Sequence, residues 1–128
     1  MIKSICVIDD DEIYQMIIKR LITKAKAFDE TSYFMSATEA LQNFDENISN
    51  LPSAILLDIN MPIMDGWQFL KKLENTFPSL YDHTKVYIVT SSIAYSDKDK
   101  IEEFPKVSDF LSKPLSVEKL EEIGNSMA

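Results

Sequence analysis

Short apolar runs alternate along this 128-residue chain with longer segments in which apolar residues recur every three or four positions. The short runs are rich in Ile, Val and Leu, as expected of strands that are buried on both faces. The longer segments have the period of helices that bury one face. This alternation predicts a parallel sheet, because parallel strands need crossover connections and helices provide them. Right-handed crossovers place helices on both faces, so the expected fold is an α/β doubly wound sheet.

Five strands and five helices are predicted in strict alternation. The strands are the runs 5–8, 31–36, 54–57, 86–89 and 107–112. The first helix follows the acidic cluster 9–12, and an Asp at the end of that cluster is a natural N-cap. The fourth helix, 96–104, has few apolar residues, so we expect it to be thinly anchored at the surface. The helical stripes are Ile13, Ile17, Leu21 and Ala25 with Ile18 and Ile22; Ala37, Ala40, Leu41, Phe44 and Ile48; Phe69, Leu70, Leu73 and Phe77; Ile101 and Phe104; and Val117, Leu120, Ile123 and Met127.

The composition excludes several classes of protein. A formal net charge of -8 argues against a nucleic-acid surface, which would carry clustered Lys and Arg. No apolar run is long enough for a membrane span or a signal peptide, so we expect a cytoplasmic protein with no membrane contact. A length of 128 residues with 45% hydrophobic composition predicts one domain over residues 1–128 and no output domain. The only cysteine, Cys6, lies in the first strand and is predicted to be a buried core thiol.

Polar residues stand at the points where the apolar runs end. Asp9 and Asp10 follow the first strand, Asp58 follows the third, Thr90 closes the fourth and Lys113 follows the fifth. In a doubly wound sheet these strand ends lie along one edge, so the side chains are expected to meet there. Three carboxylates at one site repel each other unless a cation compensates them. Oxygen ligands without His or Cys favour a hard ion, and Mg²⁺ is the first choice.

Asp58 is the candidate reacting group. Its carboxylate can act as a nucleophile toward a phosphoryl group, with Mg²⁺ and Lys113 neutralising the transferred oxygens and Thr90 donating a hydrogen bond. Glycine-rich phosphate loops are missing, since the only glycines are Gly66 and Gly124. The residues therefore indicate a site that forms an aspartyl phosphate.

Four motifs, in order at the strand ends, resemble the CheY-like receiver domain of two-component response regulators. They are Asp9-Asp10, the segment DINMPIMDG that runs from Asp58 to Gly66, Thr90-Ser91 and Lys113-Pro114. The resemblance spans nearly the whole chain. It implies a flavodoxin-like (βα)5 fold with five parallel strands in the order 2-1-3-4-5.

The resemblance also implies a role for each residue of the metal site. Asp58 resembles the phosphoacceptor, which also contacts the metal. Asp10 resembles the direct metal ligand, and Asp9 the acid that holds the metal through water. Asn60 resembles the residue whose main-chain carbonyl completes the coordination. Because Asp11 extends the acidic pair to a triplet, the register of the ligands could also be shifted by one residue.

A conformational switch is implied as well. Lys113 would contact the phosphoryl oxygens, and Thr90 would move toward the phosphoryl group on activation. Phe110 occupies the aromatic switch position, where the lack of a hydroxyl leaves only burial of the ring. By the same likeness, the peptide bond between Lys113 and Pro114 is expected to be cis.

The function implied by this likeness is that of a phosphorylation-dependent switch or phosphorelay intermediate. The expected donor is a histidine kinase or a histidine phosphotransfer protein, and the output is a docking surface for an unknown protein. We expect no direct contact with nucleic acid and a monomer or a weak dimer. The chemistry is expected to be limited to phosphorylation and dephosphorylation of the chain itself, so the chain is not an enzyme in other respects.

The residues also argue about two other functions, a phosphatase and a cofactor binder. A Mg²⁺-dependent phosphatase of the haloacid-dehalogenase-like kind needs a general acid two residues after the nucleophile, where this chain has Asn60. A flavodoxin-like cofactor binder needs a phosphate-cradling loop after the first strand, where this chain has the acidic cluster 9–12. Both substitutions argue against those functions.

Three further residues have simple structural interpretations. Asp65 is predicted to start a turn before Gly66. Trp67 is predicted to be a packing residue at the head of the third helix. His83 falls in a polar loop and is predicted to be exposed.

Overall fold

A computed structural model describes residues 2–91 and 97–127, and it contains one five-stranded parallel sheet with the strand order β2-β1-β3-β4-β5. The predicted fold class and strand order are confirmed. The strands are β1 Ser4–Ile8, β2 Glu30–Phe34, β3 Ala54–Leu57, β4 Lys85–Thr90 and β5 Asp109–Ser112. The helices are α1 Glu12–Ala25, α2 Ala37–Glu46, α3 Gly66–Thr76, α4 Asp97–Glu103 and α5 Val117–Asn125, with 3₁₀ turns at Ile48–Asn50 and Leu80–Asp82.

Helices cover the sheet on both faces. Successive residues of a strand point to opposite faces, so each strand gives apolar side chains to the core on either side. On the first side, α1 and α5 pack on Ile5, Val7, Leu56, Tyr87 and Val89. On the second side, α2, α3 and α4 pack on Cys6, Ile8, Ile55, Leu57 and Ile88. We call these sides the α1/α5 face and the α2/α3/α4 face.

The predicted stripe of α1 is confirmed at Ile18 and Ile22, which are buried. It is wrong at Ile13 and Ile17, which are 70% and 44% exposed, while Leu21 and Ala25 are half-buried. The buried face also carries Tyr14 and Gln15, which were not predicted. Apolar spacing could not fix the rotation of the helix, because two adjacent stripes of α1 have the same spacing. Polar contacts of Gln15 with the ends of β1 and β2 select the buried one.

The other stripes agree more closely with the structure. The predicted residues of the third helix are all buried, and α5 buries Leu120, Ile123 and the following Met127. Phe104 is buried and Ile101 half-buried beside α4, while Glu102 and Glu103 of α4 are exposed, as expected of a thinly anchored helix. Residue 96, the predicted start of the fourth helix, lies outside the described residues. Ile48 leaves α2 for a 3₁₀ turn and is 62% exposed.

The two outer strands differ from their predicted bounds. β2 begins at Glu30 and ends at Phe34, and β5 begins at Asp109. Both are edge strands, whose residues can be polar because only one neighbour hydrogen-bonds to them. Apolar runs therefore locate the outer strands less well than the inner ones.

The first turn of α3 lies directly against the backbone that follows β3. A Cβ added at Gly66 would come within 2.6 Å of the Asp58 carbonyl oxygen and 2.8 Å of the Ile59 Cα. The Gly66 N–H donates a hydrogen bond of 2.8 Å to the Ile59 carbonyl. A glycine is required here because any side chain would displace the helix from the strand.

Cys6 has no exposed surface, and burial raises the pKa of its thiol to about 12. The prediction of a core thiol is confirmed.

Within residues 2–91 and 97–127, no helix combines the length and apolar character that crossing a bilayer requires.

Candidate functional site

Asp9 and Asp58 stand side by side at the carboxyl edge of the sheet, since they follow the neighbouring strands β1 and β3. The Asp58 N–H donates to the Ile8 carbonyl at 3.0 Å, and the Asp9 N–H donates to the Phe34 carbonyl at 3.1 Å. These backbone bonds extend the parallel ladder by one residue on each strand. The two carboxylates are therefore held by the sheet itself rather than by a mobile loop.

Three carboxylates gather at this edge. Asp9, Asp10 and Asp58 each offer an oxygen that lies within 4.8 Å of the others. Asp9 is 1% exposed and Asp58 is 6% exposed, while Asp10 faces solvent. The structure thus brings together the three acids that the sequence placed at strand ends.

Asp11 has a different role from the two acids before it. Its carboxylate accepts hydrogen bonds from the N–H groups of Ile13 and Tyr14, at 2.9 and 3.1 Å, and so caps the N-terminus of α1. The Asp9 carboxylate accepts from the Asp11 N–H at 2.9 Å. This geometry favours Asp9 and Asp10 over a register shifted to Asp11.

Lys113 brings a positive charge to the cluster from the end of β5. Its ammonium lies 2.6 Å from Asp9 Oδ2 and 3.8 Å from Asp58 Oδ1. The Lys113 N–H donates to the Thr90 carbonyl at 2.9 Å, which ties the end of β5 to the end of β4. The Lys113–Pro114 peptide bond is cis, as the resemblance implies.

The pKa of Asp58 is raised from its ordinary value of 3.8 to about 6. Burial is the main cause, and the charge of Asp9 adds to it. Lys113 and the main-chain N–H of Asn60 act in the opposite direction, because both stabilise the ionised carboxylate. Burial and the charge of Asp9 together outweigh the stabilisation of the Asp58 carboxylate by Lys113 and Asn60.

The arrangement fits a hard divalent cation. Its donors are carboxylate oxygens, two of them on buried side chains, and the charge of Lys113 offsets only part of theirs. The charge of Asp9 contributes to the raised pKa of Asp58, after the larger effect of burial. Oxygen donors with excess negative charge suit Mg²⁺ better than a softer metal.

The loop between β3 and α3 holds the backbone close to Asp58. The Asn60 side chain is exposed, whereas its N–H contacts the Asp58 carboxylate. Asp65 was predicted to start a turn before Gly66, and the structure instead shows it as the N-cap of α3, in a capping box with Gln68. Ile63 has a φ of 68° and is 99% exposed, which is uncommon for a β-branched residue.

Aromatic rings lie on the α2/α3/α4 face behind the site. Trp67 stacks on Phe104 with ring centroids 5.8 Å apart, and its Nε1–H donates to Asp97 at 3.3 Å. Phe110, which is half-buried, has its ring centroid 6.4 Å from that of Trp67. The packing role predicted for Trp67 is confirmed. Thr90 is 1% exposed at the end of β4.

His83 is exposed in a segment after α3, as predicted.

Two residues of α1 that contact the site were missed. Gln15 is buried, and its side-chain N–H groups donate to the carbonyls of Asp9 and Phe34, both at 3.0 Å. The ring of Tyr14 lies 4.1 Å from the Lys113 ammonium. The sequence places the polar Gln15 beside the apolar positions of α1. This position points to the site only once the rotation of the helix about its axis is known.

Burial raises the pKa of Tyr14, and the charges of Asp9 and Asp58 raise it further. The phenol is therefore within the electric field of both carboxylates.

The family model for the response regulator receiver domain matches residues 5–124. The five parallel strands in the order β2-β1-β3-β4-β5 match the fold of that class. The chain belongs to the response regulator receiver domain family of two-component signalling.

Two curated relatives are the hybrid signal transduction histidine kinases L and I of Dictyostelium discoideum. They are 26% and 31% identical to this chain over 96% and 97% of its length. The chain spans only 7% of the length of either kinase. A solved two component response regulator from Cytophaga hutchinsonii is 28% identical, with a TM-score of 0.87 over 98% of this chain and 96% of that one.

Proposed function

We propose that Asp58 accepts a phosphoryl group from a phosphohistidine donor in a two-component system. The phosphorus–nitrogen bond of the donor breaks, its electron pair stays on the histidine nitrogen, and a phosphorus–oxygen bond forms to the Asp58 carboxylate. The observation that carries the proposal is the position of the Lys113 ammonium, 2.6 Å from Asp9 and 3.8 Å from Asp58. A cation at that point can stabilise the oxygens of an incoming phosphoryl group.

Asp58 is suited to this nucleophilic role because it is both buried and ionisable. A pKa of about 6 leaves the carboxylate mostly ionised at neutral pH. Its N–H bond to the Ile8 carbonyl fixes the backbone, and only the carboxylate faces the edge. Such positioning lowers the entropic cost of bringing the nucleophile to phosphorus.

The proposed metal ligands are Asp10, Asp58 and the main-chain carbonyl of Asn60, with Asp9 acting through water. When bound, Mg²⁺ would neutralise the carboxylates and the phosphoryl oxygens. The support for this set is the gathering of Asp9, Asp10 and Asp58 within 4.8 Å and the fit of their oxygens to a hard ion.

The proposed switch consists of Thr90 and Phe110. Added charge on Asp58 draws the Thr90 hydroxyl toward the phosphoryl group, and the half-buried ring of Phe110 turns into the space that becomes available. Thr90 and Lys113 share a backbone hydrogen bond of 2.9 Å, so the ends of β4 and β5 move together. The readout is a changed surface near α4, β5 and α5 for an output protein.

The proposed phosphodonor is a histidine kinase or a histidine phosphotransfer protein that docks on α1. Ile13, Met16 and Ile17 are 70%, 55% and 44% exposed there, and Ile63 after β3 is 99% exposed. Several exposed apolar residues beside one site are typical of an interaction surface. Ile13→Ser should lower the rate of phosphorylation by a phosphotransfer protein more than the rate by acetyl phosphate, and equal effects would contradict this docking surface.

We further propose that the chain acts in the cytoplasm as one receiver domain. It acts as a monomer or weak dimer, through protein partners and without direct contact with nucleic acid. Its chemistry consists of taking up the phosphoryl group and hydrolysing its own acyl phosphate. Sustained release of phosphate from a small phosphate monoester would contradict this and favour a phosphatase.

Intact mass after incubation with Mg²⁺ and acetyl phosphate tests the central claim. The wild-type chain is expected to gain one phosphoryl group, because Asp58 is the nucleophile. The Asp58→Ala variant should gain none. Removal of Mg²⁺ with EDTA should abolish the gain in the wild type, since the carboxylates then lack their counter-ion.

Asp45→Ala is the matched control, because Asp45 is an exposed acid of α2 away from the carboxyl edge. It should be labelled at the wild-type rate. Labelling that persists in Asp58→Ala would place the acceptor elsewhere and end the proposal.

A further inference from the structure

The ring of Tyr14 faces the ammonium of Lys113 at 4.1 Å. Tyr14 is in the first turn of α1, on the helix face that packs on the sheet, and is 8% exposed. An ammonium at this distance from an aromatic face is attracted by the negative charge density of the ring. The attraction is stronger here than at the surface, because little water competes for Lys113, whose side chain is 15% exposed.

The hydroxyl of Tyr14 is not explained by packing. It is fully buried and has no hydrogen-bond partner among the residues that the structure describes. A buried hydroxyl without a partner costs free energy of folding, which Phe or Leu at this position would avoid. The hydroxyl therefore offers the site no contact among the described residues, and the ring is the part of Tyr14 that meets a site residue.

The Asp9 carboxylate is shared between the Lys113 ammonium and the proposed metal. It pairs with the ammonium at 2.6 Å, but it is also one of the acids proposed to hold the metal. The ring of Tyr14 has no competing cation among the described residues, since Lys113 is the one recorded over it. The ring can keep the ammonium at the site whichever carboxylate Lys113 is paired with.

We propose that Tyr14 is a positioning residue that holds the Lys113 ammonium beside Asp58 through the face of its ring. The inference rests on the proposed phosphorylation of Asp58. Tyr14 acts on the phosphoryl group only through Lys113, and its hydroxyl is secondary to its ring.

The first test needs neither metal nor phosphodonor. In NMR spectra of the metal-free protein, the Cε protons of Lys113 should be shifted upfield by the ring current of Tyr14. The shift should persist in Tyr14→Phe and disappear in Tyr14→Leu. Lys113 resonances at their ordinary position in the folded wild type would overturn the proposal.

The second test compares rates of phosphorylation by acetyl phosphate. Tyr14→Leu is expected to be about tenfold slower than the wild type, which corresponds to ~1.4 kcal/mol in the barrier. Tyr14→Phe should stay within about twofold of the wild type. A Phe variant as slow as the Leu variant would show that the hydroxyl matters rather than the ring, and would overturn the proposal.

Two controls separate positioning from packing. Tyr87→Leu removes another buried ring of the α1/α5 face. This variant should be phosphorylated at the wild-type rate, because loss of a packed ring does not by itself slow the reaction. In a Lys113→Met background, Tyr14→Leu should have no further effect, because Tyr14 works through Lys113. An undiminished effect in that background would overturn the proposal.

These outcomes also distinguish the inference from the function on which it rests. A wild-type chain that takes up no phosphoryl group contradicts the proposed function. A wild-type chain that is phosphorylated at the same rate as Tyr14→Leu contradicts only the role of Tyr14.

Discussion

The two faces of the sheet reach the site with different kinds of contact. On the α1/α5 face, the contacts are directional: Asp11 caps α1, Gln15 hydrogen-bonds two strand ends, and Tyr14 lies against Lys113. On the α2/α3/α4 face, the part nearest α4 is held by stacked rings and by the hydrogen bond from Trp67 to Asp97.

The two kinds of contact differ in how closely they fix the position of the groups that they join. Hydrogen bonds fix position closely, because their energies fall steeply as the distance or angle departs from the optimum. Contacts between two aromatic rings tolerate sliding, since dispersion depends little on orientation, whereas the attraction of the Lys113 ammonium requires a position over the face of the Tyr14 ring. The acids and Lys113 are thus fixed from the α1/α5 face, while we expect a displacement of α4 and Phe110 to cost less free energy.

The largest expected effect contrasts one apolar deletion on each face. Ile18 is 0% exposed on α1, and Ile18→Ala should lower the free energy of unfolding by about 2 to 5 kcal/mol. Ile101 is half-buried on α4, and Ile101→Ala should cost less than about 1 kcal/mol. Urea denaturation of both variants measures the contrast.

An equal loss in the free energy of unfolding for the two deletions would mean that α4 is as firmly packed as α1. Leu73→Ala on α3 is the matched control for the second face, since Leu73 is fully buried there. Its cost should be close to that of Ile18→Ala, which locates the weakness in α4 rather than in the whole face.

A smaller effect is expected from removing the charge of Asp58. Asp58→Asn should raise the free energy of unfolding of the metal-free protein at pH 7 by roughly 1 to 3 kcal/mol, because burial and Asp9 disfavour the Asp58 carboxylate. Urea denaturation in EDTA provides the measurement. An Asn variant that is less stable than the wild type would mean that Lys113 stabilises the Asp58 carboxylate by more than burial and Asp9 destabilise it.

The pH dependence of the same pair of proteins has a definite sign. The pKa of Asp58 is raised to about 6, so between about pH 4 and pH 6 the folded chain keeps a proton that the unfolded chain has lost. Wild-type stability relative to Asp58→Asn should therefore fall as the pH rises through that range. A difference that stays constant from pH 4 to pH 7 would contradict the raised pKa.

The smallest effect concerns the hydrogen bond between Trp67 and α4. Trp67→Phe keeps a ring against Phe104 but removes the Nε1–H that donates to Asp97 at 3.3 Å. The cost should be about 0.5 to 1.5 kcal/mol, seen as faster hydrogen exchange of the α4 amides 99–103.

Tyr81→Phe removes a hydrogen bond of 2.6 Å to Glu74, on α3, and serves as the control. It should leave exchange in α4 as it was. Faster exchange in both variants would mean that α4 responds to any loss of stability and is not held by Trp67 in particular.

The sequence was sufficient for the fold and for the gathering of the acids. Inner strands of a parallel sheet must be apolar on both faces, so β1, β3 and β4 were located closely. Parallel strands end on one edge, so Asp9, Asp58 and Lys113 were expected to meet without knowledge of any contact.

Two other features could not be predicted, for physical reasons. The rotation of α1 depends on where Gln15 finds acceptors, and those carbonyls belong to the ends of two strands. The contact of Tyr14 with Lys113 depends on that rotation. Apolar spacing describes a helix alone, whereas these contacts arise only after the helix meets the sheet.

The close approach at Gly66 restricts the route by which the site can affect the rest of the molecule. With 2.6 Å between a would-be Cβ and the Asp58 carbonyl oxygen, the first turn of α3 packs directly on the Asp58 backbone. The helix therefore has no space to move inward. Under the proposed phosphorylation of Asp58, a displacement would instead run through the ends of β4 and β5, which the hydrogen bond from Lys113 to Thr90 links. The proposed direction of the switch thus follows from the side on which the backbone has no room to move.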